Sequence, residues 1–131
     1  MEKSLVLIKP DAVEKNIIGK IINMYEVNDL KIVNFNMKKI SKEFAIKHYE
    51  EHRGKVFFEP LINFITRGPL CALVIEGENA IEKIRKINGN TNIETAEEGT
   101  IRRLYGSSNV ENCVHASDSL ENAKREINLW F

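Results

Sequence analysis

The chain has 131 residues, of which 43% are hydrophobic and 29% charged, and this composition is typical of a folded globular domain and excludes a disordered chain. Nineteen basic residues balance nineteen acidic ones, which disfavours a specific nucleic-acid-binding protein, since that class carries a basic excess. The apolar run Leu5–Ile8 is too short for a signal peptide or a membrane span, so we expect a cytoplasmic protein with one domain over residues 1–131 and no membrane partner.

The first predicted element is that same run, Leu5–Ile8, whose continuous apolar character is typical of a strand buried on both faces. A helix is predicted over residues 10–28, with Asp11 as its N-cap and Glu14 three residues later in a capping box. Apolar side chains at i+4 steps continue through this range. Residues 31–38 alternate polar and apolar side chains, which predicts an edge strand.

Three helices and a strand are predicted in the middle of the chain. Ser41 is expected to cap a helix that ends near residue 52, and a short helix follows over residues 57–66. Residues 70–75 form a second continuous apolar strand, and residues 78–87 form a helix with isoleucines on one face.

The last part of the chain contains a long loop, a short strand and a final helix. Residues 88–111 are predicted to be irregular apart from one helical turn near residues 100–104, and loops of this length in compact domains are usually functional. Residues 113–115 form a fourth strand, and Asp118 or Ser119 caps the final helix. The apolar face of that helix is predicted to contain Leu120, Ala123, Ile127 and Trp130.

The order of these elements contains the βαββαβ pattern of a ferredoxin-like α+β fold. We therefore expect an antiparallel four-stranded sheet with helices packed on it and a long functional loop before the last strand. The first and third strands lie in the middle of such a sheet, and they are the two that are apolar throughout. Because a ferredoxin-like sheet has helices on one face only, we expect another chain segment or a second subunit to cover the other face.

Three histidines are candidates for chemistry. His48 and His52 have the H-x-x-E-H spacing of an inverted zinc protease, but we favour two semi-exposed residues at a helix end. His115 ends a predicted strand and is followed by small and polar residues, which leave its ring open to a ligand. Ser117 can reach a nearby oxygen, and Glu126 lies beside the buried face of the last helix, where a carboxylate needs a partner. A nucleophile oriented by a carboxylate is the pattern of an activated group.

Lys9, Arg85 and Arg102 are basic residues at or near predicted loops. Together with a strand-end histidine they supply what phosphoryl transfer needs, positive charges around a negative transition state. The sequence contains neither G-x-x-x-x-G-K-[ST] nor G-x-G-x-x-G. Any phosphate is therefore bound without a P-loop or a protein-kinase glycine-rich loop.

Two motifs lie near the ends of the chain, Ile8–Ala12 and Asn112–Ser119. They resemble the opening motif and the N-x-x-H-G-S-D active-site motif of the nucleoside diphosphate kinase family. Shorter matches follow the family's order and spacing at His48–Tyr49, Phe57–Phe58, Gly68–Pro69, Glu76–Gly77, Gly89–Asn92, Gly99–Arg102, Glu126–Ile127 and Trp130–Phe131. The resemblance covers the whole chain.

The resemblance implies ping-pong transfer of the γ-phosphate from a nucleoside triphosphate to a diphosphate through a phosphohistidine at His115. It assigns Lys9, Tyr49, Arg85, Thr91 and Arg102 to the phosphates, Asn112 and Lys9 to the ribose, Phe57 to the base, and Ser117 and Glu126 to the support of His115. Mg²⁺ is expected to arrive with the nucleotide, bound mainly by its phosphates. The resemblance also implies a homo-oligomer built from dimers. Asn112 and His115 are three residues apart, and residues at that spacing on a strand point to opposite faces. For Asn112 to have this role, it must lie in the loop before the strand.

Several positions depart from the family's pattern. Ala116 replaces the usual glycine, and Ile93 replaces the usual proline of a loop that contributes to subunit contacts. Arg103–Leu104 replaces a commoner Gly-Asp pair, and Asn109 lies where an apolar residue often covers the base. These changes bear on oligomer size and nucleotide affinity more than on the chemistry.

Two alternatives to an active enzyme come from other classes. A catalytically weak family member would act as a nucleotide-binding module, and the presence of His115 with its supporting residues argues against it. A ferredoxin-like RNA-binding domain would need aromatic side chains on its middle strands, and neither Leu5–Ile8 nor residues 70–75 contain any.

Overall fold

The computed structural model describes all 131 residues, Met1–Phe131, and contains one four-stranded sheet whose pairings are all antiparallel. Its strands are β1 (Glu2–Ile8), β2 (Lys31–Lys38), β3 (Leu70–Gly77) and β4 (Val114–Ala116), in the order β2-β3-β1-β4. The two strands that contain the continuous apolar runs, β1 and β3, lie in the middle, and the half-polar β2 lies at an edge. The prediction of a ferredoxin-like α+β fold is confirmed.

Seven helices connect and cover the strands: α1 (Pro10–Glu14), α2 (Ile18–Glu26), α3 (Lys42–His48), α4 (Phe58–Ile65), α5 (Ala80–Asn88), α6 (Ile101–Tyr105) and α7 (Leu120–Trp130). A 3-10 turn, Glu50–His52, follows α3. The helical turn predicted within the long loop is α6, between α5 and β4. None of the seven helices combines the length and the apolar character needed to cross a membrane.

Hydrophobic clusters cover both faces of the sheet. Val6 and Ile8 of β1 pack with residues of α1, α2 and α5, whereas Leu5 and Leu7 pack with residues of α3, α4 and α7. Successive side chains of a strand point to opposite faces, so two covered faces explain why β1 is apolar at each of these positions. Of the two expected covers for the second face, a segment of the same chain or a second subunit, the structure shows the first.

The helix predicted over residues 10–28 is two helices, and its predicted cap is wrong. Between α1 and α2, Asn16 adopts a left-handed backbone conformation with φ of 59°. Pro10 lies in the first turn of α1, so that Lys9 is the N-cap residue and Asp11 lies inside the helix. The Asp11 carboxylate instead accepts a hydrogen bond from the backbone N–H of Cys113 at 3.1 Å, which fixes the chain just before β4.

Serine residues cap α3 and α7. The hydroxyls of Ser41 and Ser119 each accept a hydrogen bond at 3.1 Å from the backbone N–H three residues later, which satisfies a donor that the helix itself leaves free. α3 ends at His48, earlier than predicted, because the 3-10 turn replaces its last part. Leu120 does not belong to the buried face of α7, since it is 58% exposed.

Candidate active site

His115 lies on β4 opposite Leu7 of β1, and its side chain is 21% exposed. Its Nε2 atom is 3.0 Å from Oε2 of Glu126 on α7. An ionised carboxylate can only accept a hydrogen bond, so Nε2 is the donor in this contact and Nδ1 is the ring nitrogen that the contact does not use. The arrangement leaves Nδ1 as the nucleophilic atom of this ring.

Glu126 is buried, and both of its carboxylate oxygens are hydrogen-bonded. The Ser117 hydroxyl donates to Oε1 at 2.6 Å, and the backbone N–H of Leu5 donates to that hydroxyl at 3.1 Å. Burial alone would raise the pKa of Glu126, but the hydrogen bond and charge of His115 and the hydrogen bond of Ser117 bring this pKa below its ordinary value. The ionised carboxylate, anchored through Ser117 to β1, fixes the orientation of the His115 ring.

Lys9 and Asn112 form a buried polar pair at the start of β4. Lys9 Nζ donates to Asn112 Oδ1 at 2.9 Å, and Asn112 Nδ2 donates to the backbone carbonyl of Asn109 at 3.0 Å. Asn112 lies in the loop before β4, as its expected role required. Burial, with a smaller effect of the Arg102 charge, lowers the pKa of Lys9 to about 8.

Arg102 on α6 connects the long loop to β4. Its Nη1 donates to the carbonyl of Gly89 and its Nη2 to the carbonyl of Val114, both at 2.8 Å. Burial lowers the pKa of Arg102, but a guanidinium stays charged in proteins. Because Val114 directly precedes His115, this contact holds a positive charge close to the candidate nucleophile.

A cleft of about 780 Å³ is lined by His115 and Glu126, and Ala116 is its only apolar lining residue. Arg85, Thr91 and Arg102 line the same cleft, so the structure brings these expected site residues together with His115. The expected site residues that do not line it are Lys9, Tyr49, Phe57, Asn112 and Ser117. A polar cleft with two arginines suits a hydrated, negatively charged ligand.

Tyr49 and Phe57 differ in exposure. The Tyr49 side chain is buried and its hydroxyl has no hydrogen-bond partner. Burial raises the pKa of Tyr49, so the hydroxyl remains a neutral donor. Phe57 is 41% exposed, and its ring centroid lies 5.5 Å from that of His52, a residue of the cleft lining. Phe57 is therefore placed close to the cleft with free ring surface.

His48 is a neighbour of His115 that the sequence did not predict. It was expected to be semi-exposed, but it is 2% exposed, and its ring centroid lies 4.7 Å from that of His115. Its Nδ1 accepts a hydrogen bond from the indole N–H of Trp130 at 3.0 Å. His52 lies apart, with its Nδ1 3.1 Å from Lys55 Nζ. The one feature of the sequence that could have indicated the burial of His48 is its position three residues after Ala45, on the buried face of α3.

His48, His115 and Glu126 each offer a potential metal ligand atom, and these atoms lie within 4.8 Å of one another. Their hydrogen bonds argue against a metal site. A metal-binding imidazole usually donates its second N–H to an acceptor, whereas the partner of His48 is the donor Trp130. His115 and Glu126 are already bonded to each other. This cluster is held together by its own hydrogen bonds.

Comparisons with known proteins agree with this arrangement. A sequence model of the nucleoside diphosphate kinase family matches residues 2–131. The chain is 65% identical to a nucleoside diphosphate kinase of Clostridium perfringens (strain 13 / Type A), over all of this chain and 92% of that protein. It is 48% identical to one of Saccharolobus islandicus (strain M.16.27), over all of this chain and 95% of that protein.

Solved structures show the same similarity. The nucleoside diphosphate kinase of Aquifex aeolicus superposes with a TM-score of 0.96 at 38% identity, covering 99% of this chain and 94% of that one. A halophilic nucleoside diphosphate kinase from Halobacterium salinarum, solved in complex with CDP, superposes with a TM-score of 0.96 at 40% identity, covering 99% of this chain and 87% of that one. This chain therefore belongs to the nucleoside diphosphate kinase family.

Proposed function

We infer that the chain is a nucleoside diphosphate kinase, an enzyme that transfers the γ-phosphate of a nucleoside triphosphate to a nucleoside diphosphate by a ping-pong mechanism. The observation that carries this proposal for the chain's own residues is the His115–Glu126 hydrogen bond of 3.0 Å at a polar, arginine-containing cleft. It supports Nδ1, the ring nitrogen that this hydrogen bond does not use, as the atom that accepts the phosphate.

In the first half-reaction, Nδ1 of His115 attacks the γ-phosphorus of the donor. The N–P bond forms, the P–O bond to the diphosphate breaks, and the diphosphate leaves with the bonding pair. The ring gains positive charge, which the Glu126 carboxylate stabilises through the Nε2 proton. In the second half-reaction, a terminal phosphate oxygen of the acceptor diphosphate attacks the same phosphorus, and the N–P bond breaks to restore neutral His115.

The basic residues have proposed roles in binding the phosphates. Arg85, Thr91 and Arg102 line the cleft, where positive charge and hydrogen-bond donors lower the energy of the negatively charged transition state. Lys9 adds a buried ammonium to this region, and the unpaired hydroxyl of Tyr49 is available to donate to a phosphate oxygen. In this proposal, side chains bind the phosphates, which in P-loop proteins are bound by backbone N–H groups.

The remaining roles concern the nucleoside. Phe57, with free ring surface close to the cleft, is proposed to stack on the base, and stacking is tolerant because every base has a π-face. Lys9 and Asn112 are proposed to contact the ribose. Asn112 is 2% exposed, so this contact requires the Lys9–Asn112 pair to open towards the cleft.

We propose Mg²⁺ as the divalent ion of the reaction, arriving with the nucleotide and bound mainly through its phosphates. Mg²⁺ prefers oxygen ligands and usually combines one or two carboxylates with waters and phosphates. The cleft fits this preference, because the exposed carboxylate of Asp118 is part of its lining, and the hydrogen bond from Asn122 lowers the pKa of that carboxyl. When bound, the ion neutralises charge on the transferring phosphate.

The chain's assembly is proposed to be a homo-oligomer built from dimers. The uncovered sheet face that first suggested this is absent, but the edge strand β2 gives different support. Val33, Phe35 and Met37 alternate along β2 and are 42%, 46% and 47% exposed, and edge strands pair readily with another chain.

Within each subunit we propose a single domain over residues 1–131, since both hydrophobic clusters share one sheet, and we propose the cytoplasm as its location.

A nucleotide-binding module without activity is the competing proposal, and a labelling experiment separates the two. The protein is incubated with γ-labelled ATP and Mg²⁺, and the labelled protein is treated with acid and with base. An enzyme of the proposed kind forms an acid-labile, base-stable phosphoprotein that gives its label to added GDP, CDP or UDP. A protein that binds nucleotide in the cleft but never becomes labelled would contradict the proposal.

A further inference from the structure

Helix α7 contacts two histidines that lie against each other. Glu126 in this helix is hydrogen-bonded to His115, and Trp130, four residues later, donates its indole N–H to Nδ1 of His48 at 3.0 Å. Residues four apart lie on the same face of a helix, and both Glu126 and Trp130 are buried. One face of α7 therefore holds both the nucleophile and its neighbouring ring by direct hydrogen bonds.

The contact with Trp130 determines the protonation of His48. An indole N–H can only donate, so Nδ1 of His48 must be unprotonated, and the proton of the neutral ring lies on Nε2. That Nε2 is fully buried and has no hydrogen-bond partner. A second proton would place a charge in a buried site with no anionic hydrogen-bond partner.

The His48 ring touches the nucleophile edge-on. Its centroid is 4.7 Å from that of His115, with an angle of 80° between the ring planes. This geometry is a favourable aromatic contact, and it restricts rotation of the His115 ring about the hydrogen bond to Glu126. Arg125 Nη2, 3.3 Å from the backbone carbonyl of His48, further fixes this end of α3.

We propose that His48 is a positioning residue for phosphoryl transfer, held as a neutral ring by Trp130 so that it orients His115 without placing a second positive charge beside it. This inference rests on the proposed function. The charge matters because His115 itself becomes positive as its N–P bond forms, and two like charges at this separation repel each other strongly where water is excluded.

The surroundings of His48 reinforce its neutrality. Burial is the largest cause of its pKa lying well below the ordinary value, followed by the positive charges of His115, Arg125, Lys9 and His52. Glu126 is the carboxylate that clusters with the two histidines, and its oxygens accept hydrogen bonds from His115 and Ser117. The hydrogen bond from Trp130 also keeps Nδ1 of His48 unprotonated, and a substitution of Trp130 can remove this effect.

The test compares phosphorylation rates of variants in single turnovers with ATP and Mg²⁺ between pH 6 and pH 8. Trp130→Phe keeps an aromatic ring but leaves Nδ1 of His48 free to take up a proton. We expect this variant to be slower than wild type by about tenfold at pH 6, with a deficit that shrinks as the pH rises. In the double variant with His48→Phe, the ring at position 48 cannot be charged. The loss of rate relative to wild type should therefore no longer depend on pH.

Phe44→Leu is the matched control. The Phe44 ring packs against Trp130 at 4.7 Å but makes no hydrogen bond to either histidine, so its loss should lower stability and leave the pH profile of the rate unchanged. A Trp130→Phe deficit that is equal at all pH values, or that keeps its pH dependence in the double variant, would overturn the inference.

A second measurement uses the wild-type protein alone. Nitrogen-15 NMR of the histidine rings should show His48 in its neutral Nε2–H form throughout this pH range, and an Nδ1–H form or a charged ring at pH 6 would overturn the inference whether or not the variants fold. Failure of the proposed function would look different, because wild-type protein would then form no phosphoprotein at any pH.

Discussion

We propose that the Glu126 carboxylate determines which nitrogen of His115 can react. It occupies Nε2 and leaves Nδ1 with its lone pair, and it stabilises the positive charge that develops on the ring. A surface glutamate would do neither, and its loss would change stability by about half a kcal/mol or less. Because Glu126 is buried and bonded by Ser117 as well, its removal should affect the rate.

Glu126→Ala should slow phosphorylation of His115 by about 10- to 1000-fold, the range found for positioned acid–base groups. Glu126→Gln can still accept a hydrogen bond but lacks the charge, so its rate should lie between those of wild type and Glu126→Ala. Single-turnover labelling with ATP measures both rates. Exposed Glu121 on the same helix is the control, and a wild-type rate for Glu126→Ala would contradict the proposed role.

Lys9 should make activity and stability respond to pH in opposite directions. Burial lowers its pKa in the folded protein to about 8, so the charge that we propose attracts phosphate is lost as the pH rises through this value, and the phosphorylation rate should fall. The unfolded chain holds the lysine proton to higher pH and therefore binds more protons above pH 8, so the contribution of Lys9 to the free energy of unfolding rises with pH.

Lys9→Met removes the titrating group and should flatten both dependences, with a low rate at every pH. Urea unfolding and single-turnover labelling from pH 7 to pH 10 measure the two quantities on the same samples. Surface residue Lys124 provides the control, since its substitution should leave both curves as in wild type. A fall in rate above pH 8 that persists in Lys9→Met would assign the titration to another group.

At the scale of elements, α1 and its flanks hold the loop that leads to His115. The Asp11 carboxylate accepts from the Cys113 backbone N–H, and Cys113 has a left-handed φ of 76°, a strained conformation for a residue with a side chain. Lys15 Nζ donates to the Tyr105 carbonyl at 2.6 Å, and Arg67 bridges Glu14 and Glu111. The position of β4 therefore depends on contacts between α1, with its flanking residues, and the chain segment that precedes β4.

Asp11→Ala should reduce the free energy of unfolding by about 1–3 kcal/mol, because it leaves the buried Cys113 N–H without a partner. The phosphorylation rate should fall as well, since His115 lies two residues further on. Glu14→Ala is the matched control in the same helix. Its ion pair with Arg67 is exposed, and such pairs contribute about 1 kcal/mol or less. Urea unfolding that shows equal losses for both variants would contradict this account of the loop.

The strands and the two serine caps were predictable because they depend on local pattern. The continuous apolar runs of β1 and β3 reflect two covered faces, and Ser41 and Ser119 cap their helices through contacts three residues away. The break at Asn16 was not predictable from apolar spacing, because α1 and α2 both continue that spacing on either side of it. Asparagine tolerates a left-handed backbone better than most residues, but that tolerance does not impose the conformation.

In the site, the sequence predicted the residues with local signals and missed those defined by tertiary contact. The buried face of α7 indicated that Glu126 needed a partner, and His115 is that partner. The burial of His48 depends on Trp130, which is 82 residues away along the chain, and no local pattern contains that contact. The role of Asp11 was missed for the same reason. Its capping-box spacing is a local pattern, whereas its carboxylate accepts a hydrogen bond from Cys113, which is distant along the chain.

For the whole molecule, we expect the exposed apolar row of β2 to pair two subunits. Phe35→Lys places a charge in the centre of its exposed apolar row and should convert a dimer into monomers. Val56→Lys is the control, because Val56 is 96% exposed and lies outside the sheet. Sedimentation at micromolar concentration measures both variants, and wild-type protein that sediments only as a monomer would refute the proposed assembly.

We propose that Nδ1 of His115 carries the phosphate between nucleotides. The most direct test is to label the protein with γ-labelled ATP and Mg²⁺, digest it under alkaline conditions, and identify the labelled peptide and the phosphorylated nitrogen. We expect a single phosphohistidine, at Nδ1 of His115, whose phosphate passes to added diphosphate. Label on His48 or His52, or on Nε2 of His115, would contradict it.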